Sequence, residues 1–90
     1  MNSITKKPWG YFEILESGNK FLIKKIIVKP GGILSLQSHK YRSEHWIVAE
    51  GQAEVTIDKK IIELKENESI FIPQGVTHRM ANHKNVDLVI

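Results

Sequence analysis

The stretch Gly51–Ala81, GQAEVTIDKKIIELKENESIFIPQGVTHRMA, decides how this chain folds. Four short apolar runs, Ala53–Ile57, Ile61–Leu64, Ser69–Ile72 and His78–Ala81, alternate with turn-forming clusters at Asp58-Lys59-Lys60, Lys65–Glu68 and Pro73-Gln74-Gly75. None of the runs is long enough for a helix, and none repeats its apolar residues at helical spacing. Short runs bounded by Pro, Gly, Asn and Asp are what a strand-rich fold requires.

Working outward, the same rhythm covers the rest of the chain. Gly51 turns the chain out of His45–Glu50, which follows a polar connection at Lys40–Ser43. Ile33–His39 precedes that connection, after the break Pro30-Gly31-Gly32. Phe21–Val28, Phe12–Leu15 and Val86–Ile90 are the remaining expected strands, the first two separated by Ser17-Gly18-Asn19. The apolar residues are 13 Ile and 6 Val against 6 Leu and 3 Ala, and β-branched side chains pack best on pleated surfaces. We therefore read the chain as all-β, a sandwich or barrel. With no repeat, linker or low-complexity segment, residues 1–90 form a single expected domain.

Composition removes several function classes. The chain has no cysteine, which excludes a thiolate zinc cluster and a disulfide scaffold. No apolar run approaches the length of a membrane span, and the polar start Met1–Pro8 has no apolar core of a secretion signal, so a cytoplasmic protein is expected. Of the 13 basic residues 11 are Lys, falling in pairs at Lys6-Lys7, Lys24-Lys25 and Lys59-Lys60. These read as solvated edge protection. Aromatics do not interleave with them as a nucleic-acid surface requires, so neither nucleic acid nor membrane is an expected partner. Ninety residues give a thin core, to which a bound metal or a partner subunit would add stability.

The chemistry-bearing residues gather around the turns. Gln37 and His39 stand two apart on one expected strand and so share a face. Glu44 follows across the polar connection, with Trp46 and Val48 on its face, and His78 opens a strand after Pro73–Gly75. An amide oxygen, a carboxylate and two imidazoles inside a small barrel would bind a divalent metal through mixed N and O donors, leaving one or two positions open. Taken singly, Gln37 also fits a loop hydrogen bond and Glu44 an ion pair with a lysine.

The joint spacing resembles the two motifs of the cupin superfamily. Motif 1, residues 31–51, has Gly31, five residues, Gln37-x-His39, four residues, Glu44, six residues and Gly51. Motif 2, residues 67–82, has Asn67 in place of the usual glycine, then Pro73, Gly75, His78 and Asn82. An asparagine tolerates the left-handed turn conformation, so that departure is mild. Gln stands where the first motif usually has its first His. With Leu34–Gln37, Arg42–Trp46, Pro8-Trp9-Gly10, Pro30-Gly31, Glu66–Ser69 and Ile72–Arg79, this resembles the type II mannose-6-phosphate isomerase cupin. That cupin is often the C-terminal domain of bifunctional mannose-1-phosphate guanylyltransferase/mannose-6-phosphate isomerases.

The resemblance implies a small cupin β-barrel, a double-stranded β-helix or jelly roll. It implies metal-dependent interconversion of mannose 6-phosphate and fructose 6-phosphate, toward GDP-mannose. It gives Gln37, His39, Glu44 and His78 as ligands to one divalent ion, with zinc expected and manganese, cobalt, nickel or iron as alternatives. Family members continue past the position of Ile90 with a further strand, which this chain is expected to lack. Guanylyl transfer is not expected, because ninety residues hold no Gly-rich nucleotide signature.

An enediolate needs a fixed counter-charge, and a metal with Glu44 as its one anionic ligand keeps a net positive charge for it. Arg42, in the connection between ligands, is the first candidate for the phosphate, or else a salt bridge fixing the loop; Lys40 is a weaker one. Arg79 is expected to point to the other face by strand alternation. Trp46 is expected in the pocket wall, His45 facing away from Glu44, and His83 exposed. No residue stands out as the general base. The alternative is a non-catalytic metal-cupin module binding a sugar phosphate or nucleotide sugar; a dioxygenase would favour three histidines, which Gln37 argues against. A small cupin also commonly pairs through its sheet edges, so a homodimer is expected.

Overall fold

The computed structural model describes residues 3–90, so the start of the chain at Met1–Asn2 lies outside the described residues. Nine strands occur among them: β1 (Ser3–Lys7), β2 (Gly10–Ser17), β3 (Leu22–Val28), β4 (Glu44–Ile47), β5 (Ala53–Ile57), β6 (Lys60–Leu64), β7 (Ser69–Ile72), β8 (His78–Ala81) and β9 (Leu88–Val89). All their pairings are antiparallel, in sheets ordered β1-β2-β3-β9, β4-β7 and β6-β5-β8. The described residues contain no helix, and thus none long and apolar enough to cross a membrane.

The core lies between the sheets. Val28, Trp46, Val48, Ala53, Val55, Leu64, Ile72, Met80 and Leu88 form one buried cluster, with Trp9, Ile26 and Leu34 packed against it. The period-2 pattern explains the selection: Ala53 and Val55 on β5 point inward together, as do His78 and Met80 on β8.

Two differences from the expected strands bear on the site. Strand β1 was not expected, because SITKK has too few apolar residues to mark a strand; all five residues are exposed and it pairs only with β2. Ile33–His39, expected as one strand, runs beside β8 through isolated bridges at Ile33↔Ala81 and Gln37↔His78. It keeps backbone bonds at its two ends, while Ser35 and Leu36 between them form none with β8. The motif residues act as fasteners. Asn67 adopts φ +71°, the left-handed turn expected of it. Gly51 has φ +87°, and a Cβ there would stand 2.6 Å from the Asp87 carbonyl oxygen. Fully buried Asn82 donates from Nδ2 to the carbonyls of Val28 (2.9 Å) and Val86 (2.8 Å).

Candidate metal centre

Three separate segments deliver the cluster. Glu44 opens β4, His78 opens β8, and His39 lies on the connection from β3 to β4. One ligand atom from each of the three lies within 4.8 Å of the others. His39 Nε2 is 2.9 Å and His78 Nε2 3.7 Å from the same oxygen, Glu44 Oε2.

Backbone bonds between the two motifs hold this geometry. Gln37 and His78 exchange both of their N–H···O=C bonds, at 2.9 and 2.7 Å, and the Gly75 N–H donates to the His39 carbonyl at 2.8 Å. The Pro73–Gly75 turn of the second motif thus holds a candidate ligand of the first, His39. His78 Nδ1 lies 2.9 Å from the Val76 carbonyl, which only accepts, so Nδ1–H is the donor and the neutral ring carries its lone pair on Nε2. Trp46, two residues after Glu44 and on the same face, donates its indole N–H to Glu44 Oε1 at 2.8 Å. Its ring meets His78 edge-on at 5.4 Å.

Electrostatics set the charge state. Burial pushes the His39 pKa below its usual 6.5, and the Arg42 guanidinium pushes the same way; Glu44 opposes both without reversing the shift. A neutral His39 accepts at Nε2 from Arg42 Nη2, 2.9 Å away. The short His39–Glu44 contact therefore brings two acceptors together beside a cation and is not an ion pair. Arg42 completes this with Nε and Nη2 each 3.3 Å from Glu44 Oε2. Burial raises the Glu44 pKa, but the Trp46 N–H bond, His78, Arg42 and His39 together hold it below its usual 4.5, the two imidazoles acting in the acid range where they are protonated. Two imidazole nitrogens and a carboxylate oxygen aimed at one region form a donor set that fits a borderline divalent ion. Gln37 Nε2 donates to Ser35 Oγ at 3.1 Å, which leaves its Oε1 as a further neutral oxygen donor.

A cavity of about 70 Å³ adjoins the cluster, lined in part by Gln37, Glu44 and His78. A larger hollow of about 630 Å³ lies beside it, reaching the loop at residues 18–21 between β2 and β3. The two share Lys24, Ile26, Arg42, Glu44 and Trp46.

Of the residues singled out from the sequence, Gln37, His39, Glu44, His78, Arg42 and Trp46 come together here. Lys40 does not: its ammonium lies 5.5 Å from the centre of the Tyr41 ring, and it lines neither cavity. His45 is exposed and meets Phe71 edge-on at 6.4 Å, while His83 lies 3.1 Å from Glu54. Arg79, expected to face away, contributes to the small cavity's lining. Lys24 is the residue that sequence reasoning missed. Read there as half of a solvated edge pair, it is partly buried and lines both cavities. The signal was its spacing: Lys24 stands in step with Ile26 and Val28 on the cavity face of β3, whereas Lys25 lies on the opposite face and pairs with Glu13 at 3.2 Å.

An all-antiparallel barrel carrying a His-His-Glu cluster between two such motifs is a cupin. Its backbone matches an RmlC-like cupin from Shewanella frigidimarina with a TM-score of 0.87, at 24% identity, over 98% of this chain and 79% of that one. The chain belongs to the mannose-6-phosphate isomerase C-terminal family, whose model matches residues 1–90. It is 51% identical over 76 residues to the xanthan biosynthesis protein XanB of Xanthomonas campestris pv. campestris, covering 84% of this chain and 16% of that protein. It is 48% identical over 82 residues to a mannose-1-phosphate guanylyltransferase of Escherichia coli, covering 91% and 17% respectively. The chain thus spans less than a fifth of the length of these curated relatives.

Proposed function

We propose that this chain is a metal-dependent isomerase domain interconverting mannose 6-phosphate and fructose 6-phosphate, a step that supplies GDP-mannose synthesis. The observation that carries the reading is the convergence of His39, Glu44 and His78 beside the small cavity, with Glu44 also lining the larger one, in a chain of this family. The larger cavity falls in the range of roughly 300–1,000 Å³ usual for small-molecule sites.

His39, Glu44, His78 and Gln37 Oε1 hold one divalent ion, zinc in this reading. When bound, that ion supplies Lewis-acid stabilisation of the oxyanions of an enediolate. Glu44 contributes the single negative charge of the ligand set, so the centre stays net positive. Trp46 aims Glu44 and walls the sugar site, and Val76 fixes the tautomer of His78. Arg42 binds the phosphate through its planar fork. The homodimer expected from the sequence belongs to the same proposal, supported by exposed Phe21, Leu22, Ile23, Ile47 and Phe71. A cytoplasmic location, where sugar phosphates are made and consumed, goes with it.

The test is a coupled assay for fructose 6-phosphate formed from mannose 6-phosphate, with and without chelator, beside metal analysis of His78→Ala and Gln37→Ala. Turnover that chelation abolishes, with metal lost in both variants, supports the reading. Metal-dependent binding without turnover replaces it with the non-catalytic module. Metal content unchanged in both variants overturns the ligand assignment.

A further inference from the structure

We propose that Lys24 is an anion-anchoring residue which, with Arg42, seats the phosphomonoester of the substrate at the junction of the two cavities. The inference deepens the isomerase reading and rests on it for the identity of the ligand.

The first observation is position. Lys24 lines both the cavity beside the metal cluster and the larger hollow, so an anion held there lies next to the metal centre without entering its ligand set. The second is charge. Lys24, Arg42 and Arg79 all line the small cavity, whose lining contains one carboxylate, Glu44. That carboxylate is already engaged by the Trp46 N–H, by Arg42 and by its contacts with the two histidines. Excess positive charge in a partly enclosed hollow favours an anionic ligand.

The third observation is the state of the ammonium group. Among the described residues Lys24 Nζ has neither a hydrogen bond nor an ion pair; it lies over the face of Phe12, 4.6 Å from the ring centre. Burial, and then the nearby Arg42 charge, hold its pKa below the usual 10.5, against a smaller opposing pull from Glu44. A dianion bound between Lys24 and Arg42 relieves both effects, taking hydrogen bonds from an ammonium that has no other hydrogen-bond acceptor and screening it from the guanidinium. Lys25 and Lys29, which line neither cavity, already have carboxylate partners in Glu13 and Asp87. Lys24 differs from them in lining both cavities and in having no carboxylate partner.

The experiment titrates the metal-loaded chain with inorganic phosphate, fructose 6-phosphate and fructose, following binding by calorimetry, for wild type, Lys24→Met and Lys24→Arg. Met keeps the apolar stem and removes the charge; Arg keeps the charge. The expected result is that Lys24→Met raises Kd for fructose 6-phosphate roughly 10- to 100-fold, the effect of losing one charge-assisted hydrogen bond. Lys24→Arg stays within roughly threefold of wild type, fructose is insensitive to both changes, and metal content is the same in all three proteins. Equal affinity in Lys24→Met and wild type overturns the proposal. So does an equal loss in Lys24→Met and Lys24→Arg, which would mark packing and not charge as the cause. The two readings fail separately. Lys24-dependent phosphate binding without any turnover keeps the anion seat and removes the isomerase. Undiminished turnover and affinity in Lys24→Met keep the isomerase and remove the seat.

Discussion

Glu44 shows how much one side chain is asked to do here. Its Oε1 accepts the indole N–H of Trp46, so Oε2 is the oxygen presented to His39, His78 and Arg42. Replacing Trp46 by Phe removes that bond and keeps most of the buried ring. The carboxylate then gains freedom to rotate, and metal affinity should fall roughly 10-fold or more, as is usual when a ligand loses its supporting hydrogen bond. Competition with a chromogenic chelator measures this, and unchanged affinity would show that the indole does not position the ligand. Lys24 gives a second test at this scale. Its folded pKa lies below the usual 10.5, chiefly through burial. The folded state is therefore penalised while the ammonium is charged, and the penalty disappears as pH rises from the folded pKa toward 10.5. In phosphate-free buffer the melting temperature of wild type should accordingly rise relative to that of Lys24→Met as pH is raised from 8 toward 10.5. A difference independent of pH would mean that Lys24 titrates as an exposed lysine does.

At the scale of elements, the chain's turns carry more of the organisation than its strands. Asn67 at φ +71° stands where the second motif usually has glycine. Asn67→Gly should therefore change stability by less than roughly 0.5 kcal/mol, while Asn67→Val should cost about 1–2 kcal/mol, because a β-branched residue resists that conformation. Asn82 ties β3 to the segment leading into β9 through two carbonyls, and its Oδ1 also accepts from the Lys84 N–H at 3.0 Å. Removing this fully buried amide in Asn82→Ala should cost about 2–4 kcal/mol, read from the urea midpoint at constant m value. These positions were legible in the sequence because Gly, Pro and Asn report the backbone conformation directly. The strands between β4 and β8 were legible for a related reason, since each buries one face and so shows alternation. Strand β1 was not, because an exposed edge strand has no buried face to leave a pattern. The broken course of Ile33–His39 was also hidden. Its apolar residues suit a strand, and only the partner β8 decides where the backbone bonds form. For the same reason the sequence named Gln37, His39, Glu44 and His78 by motif spacing. It could not show that Lys24, from a strand outside both motifs, lines the same cavity as Gln37, Glu44 and His78.

For the molecule as a whole, stability and site are coupled through the small size of the core. Nine buried apolar side chains form its central cluster, in a domain of 90 residues without disulfides. The ligands to the proposed metal come from β4, from β8 and from the connection preceding β4, so a bound ion would bridge two of the three sheets. Such an ion binds the folded state and not the unfolded chain, so it adds stability by mass action. At a free metal concentration 100-fold above Kd the gain is about 2.7 kcal/mol, which for a domain of this size corresponds to a rise in melting temperature of roughly 10–20 °C. The melting temperature should thus increase on titration with zinc and return to its metal-free value with excess chelator. His78→Ala should abolish the response, since it removes the ligand whose tautomer Val76 has fixed. Lys24→Met should preserve it, because Lys24 lines the neighbouring cavities and is not one of the His39, Glu44 and His78 cluster. A metal-independent melting temperature in wild type would mean that Arg42, already donating to His39 and Glu44, is the cation this cluster was built around.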